Sequence, residues 1–415
     1  MAIKNKRHPG YDNCKSLFMM YVVLWHMLNG WYLEESIQNW PPFWAKFFRV
    51  YSLWHEKLAV PGFAFLSGYF GKRFRTFNGV DSIERWKQSI STLFFGALCV
   101  QVFEKVLNSI LTNGMVLFQQ QGKLQVPSSI QFWDHLETWY LLALLIWRLM
   151  TPVLLELFHR PLFVSLVLAF WSLHLEYGWP AELRMRLFRF FPYYVAGLVI
   201  DKSVLDDSNT ILSKYQTMMG LGGVLVTFGA SWILAEDESN RFLGLAYFDV
   251  GWDWQLHLII LFQYCFSAVL VLSVVLLVRQ IPFQLFPFTH SNSTLAIYVW
   301  HWQCLKPLLW GALPFSDENF DNLFSFGVSK PFMRWMQDMS DYPLLAILIA
   351  HAVSYIICMA IGSIYAWRLF RYISAPDCKW MFRTTYSKEL LTTEDNKKNG
   401  SCCPKLQENL LDKLI

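Results

Sequence analysis

The chain has 415 residues, of which 54% are hydrophobic and only 16% are charged. Soluble domains carry about 25% charged residues, so this composition excludes a soluble protein that must coat several domains with charge. The net charge is only +4, and the basic residues do not form a compact basic domain. We therefore expect no nucleic-acid partner.

Apolar runs follow one another along the chain, and most approach the length that crosses a hydrocarbon core about 30 Å thick. The sequence has no strand-like alternation and no internal repeat. It therefore predicts an all-α fold, a polytopic transmembrane helix bundle of about ten spans. The predicted spans are 16–33, 58–71, 89–107, 136–157, 161–176, 187–201, 216–234, 256–278, 293–311 and 343–366.

Basic residues set the predicted orientation. Short cytoplasmic loops gather Lys and Arg, and a cytoplasmic N-terminus places most basic residues inside and acidic ones such as Glu34 and Glu35 outside. We expect an integral, multi-pass membrane protein with both termini cytoplasmic. After residue 376 the chain becomes polar and charged, which predicts a membrane domain over 1–376 and a disordered cytoplasmic tail over 377–415.

The first span places two ionisable residues on one face. Lys15 and His26 are eleven residues apart, which is three helical turns plus about 20° and about 16 Å along the axis. Asp12 is close enough in sequence to pair with Lys15. Ionisable groups inside a membrane often mark a functional site. The alternative is that Lys15 anchors the helix end and His26 bonds to a neighbouring helix.

The second span ends in VPGFAFLSGYFGKRFR at 60–75. Its Ser67 and Gly68 permit close helix packing or a close approach of the backbone to a ligand. The basic residues that follow have two explanations: ordinary cytoplasmic loop charge, or an electropositive mouth for a phosphate-bearing substrate. The aromatic segment before this span, 34–57, is predicted to be an interfacial belt or a lid.

Five motifs occur in a shared order over residues 12 to about 370. They are Asp12-Asn13 with Lys15 and His26; Pro61, Phe63 and FLSGYF (65–70); ETWYLLALL (137–145); FFPYYVAGL (190–198); and NSTLAIYVWH (292–301). In this pattern the chain resembles the integral-membrane acyltransferases of the acyltransferase family 3 type. The fucose 4-O-acetylase-like branch is the closest.

The chain departs from the pattern of that family at three places. Lys15 stands where many members have Arg, which keeps the charge but loses bidentate geometry. Ala59 stands where the related branch often has His, and His55 comes one turn earlier. An Arg-rich stretch that commonly follows the second span is matched only in part by Arg85 and Lys87.

The resemblance implies an O-acyltransferase, most simply an O-acetyltransferase, that moves an acyl group onto a carbohydrate or other extracytoplasmic hydroxyl. Cytoplasmic acyl-CoA is the implied co-substrate, with no permanently bound cofactor and no metal. The catalytic candidates are His26, Lys15 and Asp12. The donor-binding candidates are Lys72, Arg73, Arg75, Arg85, Lys87, Ser67, Gly68 and Tyr69. The acceptor-binding candidates are Glu137, Trp139, Tyr140 and His301.

Within this hypothesis His26 is the general base, because a neutral imidazole can take the proton of an alcohol. A transient acyl-histidine is an alternative mechanism. For Trp139 and Tyr140 the alternative to sugar stacking is helix packing and interface anchoring. Two other classes of protein compete with the enzyme: a transporter or flippase without covalent chemistry, which uses the buried ionisable residues as a proton relay, and an inactive scaffold or receptor.

Overall fold

The computed structural model describes residues 9–31, 40–72, 139–172, 181–201, 204–205, 215–234, 254–286 and 342–363, with scattered helical positions between 86 and 102 and between 294 and 305. The regular structure in these residues is entirely helical. The helices are α1 (Pro9–Trp31), α2 (Pro42–Gly71), α3 (Trp139–Leu157), α4 (Pro161–Ser172), α5 (Ala181–Val199), α6 (Gln216–Leu234), α7 (Trp254–Val278) and α8 (Pro343–Ile361).

Four of the described helices are long and apolar enough to cross a membrane: α3, α6, α7 from His257 onwards, and α8. α4 is apolar but has only 12 residues. Large apolar side chains face outwards on the long helices, for example Leu225 and Ile233 on α6 and Ile356 on α8. Faces of this kind fit a lipid environment, and together with the long apolar helices they indicate a helical membrane protein.

Helices occupy the positions of eight predicted spans. The prediction of an all-helical fold is therefore confirmed for the described residues, whereas the count of ten spans and the orientation of the termini stay predictions. The predicted spans at 89–107 and 293–311 are described only at scattered positions, and the predicted tail at 377–415 lies outside the described residues.

α2 is much longer than the predicted second span. It has 30 residues and starts at Pro42 instead of near residue 58, so most of the predicted interfacial segment belongs to the same helix. Proline has no backbone N–H. At the first helical position that N–H would have no partner within the helix, so proline is tolerated there. Pro61 lies inside the helix without ending it, as happens in membrane helices where neighbours accommodate the break.

α2 and α5 cross with their backbones in contact. A methyl group added at Gly68 would collide with the carbonyl oxygen of Tyr194, and one added at Gly197 would collide with the carbonyl oxygen of Phe65. Small residues permit this approach in membrane helix pairs. α1 packs against α2, α7 and α8, so it brings its own ionisable residues into the centre of the bundle.

Candidate active site

The site is organised around the histidine pair, His26 and His301. His26 is on α1 and His301 is at a helical position of the segment 294–305. The centroids of their rings lie 5.1 Å apart with an interplanar angle of 40°. His301 is only 3% exposed, whereas His26 is partly exposed, so a substrate can reach His26 more readily than His301. The two imidazoles come from chain segments about 275 residues apart.

The backbone holds the His301 ring in a defined orientation. Its Nδ1 lies 2.6 Å from the carbonyl oxygen of Tyr298 and 3.1 Å from that of Ile297. A carbonyl oxygen only accepts hydrogen bonds, so Nδ1 carries the proton and Nε2 carries the lone pair. Nε2 is buried and, in the part of the chain that the structure describes, has no hydrogen-bond partner.

Ring contacts and hydrogen bonds connect His301 to α2. The ring of Tyr298 lies 6.0 Å from that of His301 and 5.5 Å from that of Tyr140. The Tyr298 hydroxyl accepts a hydrogen bond from the backbone N–H of Tyr140 at 3.3 Å, in the first turn of α3. The Tyr140 and Ser67 hydroxyl groups are hydrogen-bonded at 3.0 Å. The structure thus brings His26, His301, Tyr140 and Ser67 into one connected group.

Trp139 joins this group from the start of α3. Its ring lies 5.5 Å from that of Phe190 on α5 and beneath the guanidinium group of Arg186, which is 5.5 Å from the ring centroid. Arg186 is also near enough for its charge to act on His26. The indole is therefore a planar surface beside the histidine pair, with a cation over it.

A second group, the N-terminal cluster, lies at the other end of α1 and consists of Tyr11, Lys15, Tyr69, Phe70 and Lys72. Lys15 Nζ is 4.1 Å from the centroid of the Phe70 ring, and Lys72 Nζ is 4.9 Å from that of Tyr69. The Tyr11 hydroxyl donates to the Tyr69 hydroxyl at 3.2 Å. Two cations thus meet at one end of the α1–α2 pair, about 16 Å along α1 from His26.

The remaining predicted site residues have varied positions. Asp12 is buried on α1, while Gly68 belongs to the crossing with α5. Lys87 is exposed, next to Trp86, whose indole N–H donates to the carbonyl oxygen of Arg148 on α3 at 3.1 Å. Arg73, Arg75, Arg85 and Glu137 lie outside the described residues.

An ion cluster that the sequence analysis missed joins α2, α5 and α7. Glu56 accepts from Lys57 at 3.2 Å and from Arg189 at 2.8 Å, and Lys57 also donates to Gln263 at 3.2 Å. The Lys57 side chain is 5% exposed. The rule that ionisable residues in apolar helices mark special sites, applied to α2 and α5, would have found it.

A further group of histidines surrounds Tyr51 on α2. The Tyr51 hydroxyl donates to Nε2 of His351 on α8, whose Nδ1 bonds to the carbonyl oxygen of Ile347 at 2.8 Å. His55 bonds to the carbonyl oxygen of Tyr51 at 2.7 Å through Nδ1, and its ring lies 4.5 Å from that of Tyr21 on α1. Among the described residues no three His, Cys, Asp or Glu side chains form a metal-binding group.

The fold and these contacts define a helical membrane protein with paired imidazoles inside the bundle and two cations at one end of it. No family model, curated protein or solved structure matches this chain.

Proposed function

We propose that the protein is a membrane-bound O-acyltransferase, which moves an acetyl or other acyl group from acyl-CoA to a hydroxyl group of a carbohydrate or similar acceptor. The observation that carries the proposal is the histidine pair inside the bundle, in which His26 lies on the same face of α1 as Lys15 at the helix end. An imidazole with access to a substrate can take a proton, and a separate cationic cluster can hold an anion.

The donor site of this proposal is the N-terminal cluster. Lys15 and Lys72 bind the phosphates of acyl-CoA as point charges, while Tyr69 and Phe70 hold the two ammonium groups in place. The pantetheine arm runs along α1 towards His26, a distance of about 16 Å that is of the same order as the length of the arm. The thioester then reaches the histidine pair.

The acceptor site is beside α3. Trp139 and the Arg186 guanidinium over its ring line the site for a sugar, and the Tyr140 and Tyr298 hydroxyl groups offer hydrogen bonds. A hydroxyl group bound there gives its proton to His26 as its oxygen attacks the thioester carbon. The new C–O bond forms, the C–S bond breaks, and the leaving sulfur takes the proton from His26, so the products are the ester and the free thiol.

The direct test is acyl transfer from acetyl-CoA labelled in its acetyl group, in membranes that contain the full-length protein. We expect alkali-labile ester label in the membrane glycolipid and glycan fraction. The His26→Ala variant should lose about 100- to 10,000-fold of the rate, which is the usual contribution of a general base. The exposed His159 provides the matched control, and His159→Gln should transfer label like the wild type.

Two results would count against the proposal. Equal transfer by the wild type and His26→Ala would remove His26 from the mechanism. Absence of ester label in every sample, with acetyl-CoA intact, would reject the acyltransferase and leave transport as the next hypothesis. The observation that favours transport is the hydrogen-bonded Tyr51–His351 pair beside His55, since such groups serve proton relays in membrane carriers.

A further inference from the structure

His301 is a buried histidine with one satisfied and one unsatisfied ring nitrogen, a state that His55 shares. Both carbonyl contacts of His301 use Nδ1, so the ring is fixed as the tautomer with a lone pair on Nε2. Among the described residues, that nitrogen has no hydrogen-bond partner. A buried acceptor with no donor costs about 1–3 kcal/mol, and such an exception in a folded protein calls for a specific explanation.

The neighbouring imidazole offers the missing donor. The centroids of the His26 and His301 rings are 5.1 Å apart, and two imidazoles joined by one N–H···N hydrogen bond have centroids about 5 Å apart. The separation therefore suits such a bond. His26 is the partly exposed ring and His301 the buried one, so His301 is positioned behind His26.

We propose that His301 is the positioning residue for His26. This inference rests on the proposed acyltransferase function and deepens it. His26 takes the hydroxyl proton of the acceptor on the ring nitrogen that faces the substrate, and the N–H on its other nitrogen donates to Nε2 of His301. The backbone-oriented imidazole thus does for His26 what a buried carboxylate does for the histidine of a hydrolase triad. After the C–S bond breaks, His26 returns the proton from the substrate-facing nitrogen to the sulfur, and its ring is neutral again.

Other groups around His26 make such a partner valuable. Arg186 and His301 are the ionisable neighbours of His26, and like charges repel, whereas the adjacent ring of Trp25 carries no charge. The His55 ring contacts that of Tyr21, about one and a half turns along α1, and Tyr51 contacts both His55 and His351. An uncharged acceptor next to His26 stabilises the imidazolium without adding a permanent charge to the site.

The test compares two substitutions in the full-length protein, His301→Leu and His301→Gln, with labelled acetyl-CoA and the acceptors of the host membranes. We expect His301→Leu to lower kcat by about 100-fold, within the range of a general base, and to leave KM for acetyl-CoA unchanged. In His301→Gln the side-chain oxygen can accept the same hydrogen bond, so that variant should recover at least about 10-fold over Leu.

The pH profile separates an effect on His26 from a general loss of structure. A base works in its neutral form, and an imidazolium that has lost its hydrogen-bond partner forms only at lower pH. The acid-side half-activity point of His301→Leu should therefore move to lower pH. Equal activity of the Gln and Leu variants, each with the wild-type pH profile, would overturn the positioning role. If His301→Leu fails to fold, His301→Phe takes its place as the variant without an acceptor, and a wild-type pH profile with unaltered kcat and KM in that variant overturns the role equally.

The wild type distinguishes failure of this inference from failure of the proposed function. Ester label in the wild type that is lost in His26→Ala supports the acyltransferase, whatever the His301 variants do. Absence of label in the wild type overturns the acyltransferase, and the role of His301 falls with it.

Discussion

The two ends of the α1–α2 pair surround their polar residues in different ways. In the N-terminal cluster, Lys15 and Lys72 lie over aromatic rings, which hold a cation yet leave it able to attract an anion. At the histidine pair, the two imidazole rings lie next to each other, and among the described residues Nε2 of His301 has no hydrogen-bond partner. The first arrangement is suited to binding charge and the second to moving a proton. In the proposed enzyme, substitutions at the two ends should therefore affect different kinetic constants.

The largest effect, a loss of stability, is expected at Gly68, where α2 crosses α5. Gly68→Val places carbon atoms against the Tyr194 carbonyl, and we expect a loss of stability of about 3 kcal/mol or more. Thermal unfolding and the yield of monodisperse protein in detergent measure it. Gly222 on α6 has nothing within 4 Å of an added methyl group, so Gly222→Val is the control and should change stability by less than about 1 kcal/mol. Equal losses would refute the close crossing.

The next effect separates donor binding from chemistry. Lys15→Gln removes one of the two clustered cations, and we expect KM for acetyl-CoA to rise about 10-fold or more with little change in kcat. Lys46→Gln is the control, because Lys46 also lies over an aromatic ring, 5.0 Å from that of Trp232, but at the opposite end of α2. A fall in kcat at constant KM for Lys15→Gln would mean that Lys15 acts in the chemical step together with His26. The two ends of the α1–α2 pair would then affect the same kinetic constant.

A smaller effect is expected at the hydroxyl groups beside the histidine pair. Tyr140→Phe removes the hydrogen bond to Ser67, and the expected cost is about 1 kcal/mol of stability. Thermal unfolding tests this, with the exposed Tyr342 as the site of the control Tyr342→Phe. If both substitutions leave the unfolding temperature unchanged, the Ser67–Tyr140 bond contributes nothing measurable.

The sequence predicted what depends on local pattern. Apolar runs located most helices, and the helical period placed Lys15 and His26 on one face of α1. The contact between His26 and His301 was beyond reach, because no periodicity relates two side chains on different helices. The length of α2 was missed because aromatic residues with scattered charges look interfacial, whereas in the fold Glu56 and Lys57 find partners on α5 and α7.

The length of α2 makes bilayer thickness relevant to this protein. Thirty residues extend about 45 Å along the axis, some 15 Å more than a typical hydrocarbon core. In the predicted topology α2 crosses the bilayer, where thinner lipids would expose more of it or increase its tilt, and α5 would tilt with it because the two backbones are in contact at Gly68. Arg186 is on α5, so a change in the tilt of α5 with lipid chain length would move the charge of Arg186 relative to His26.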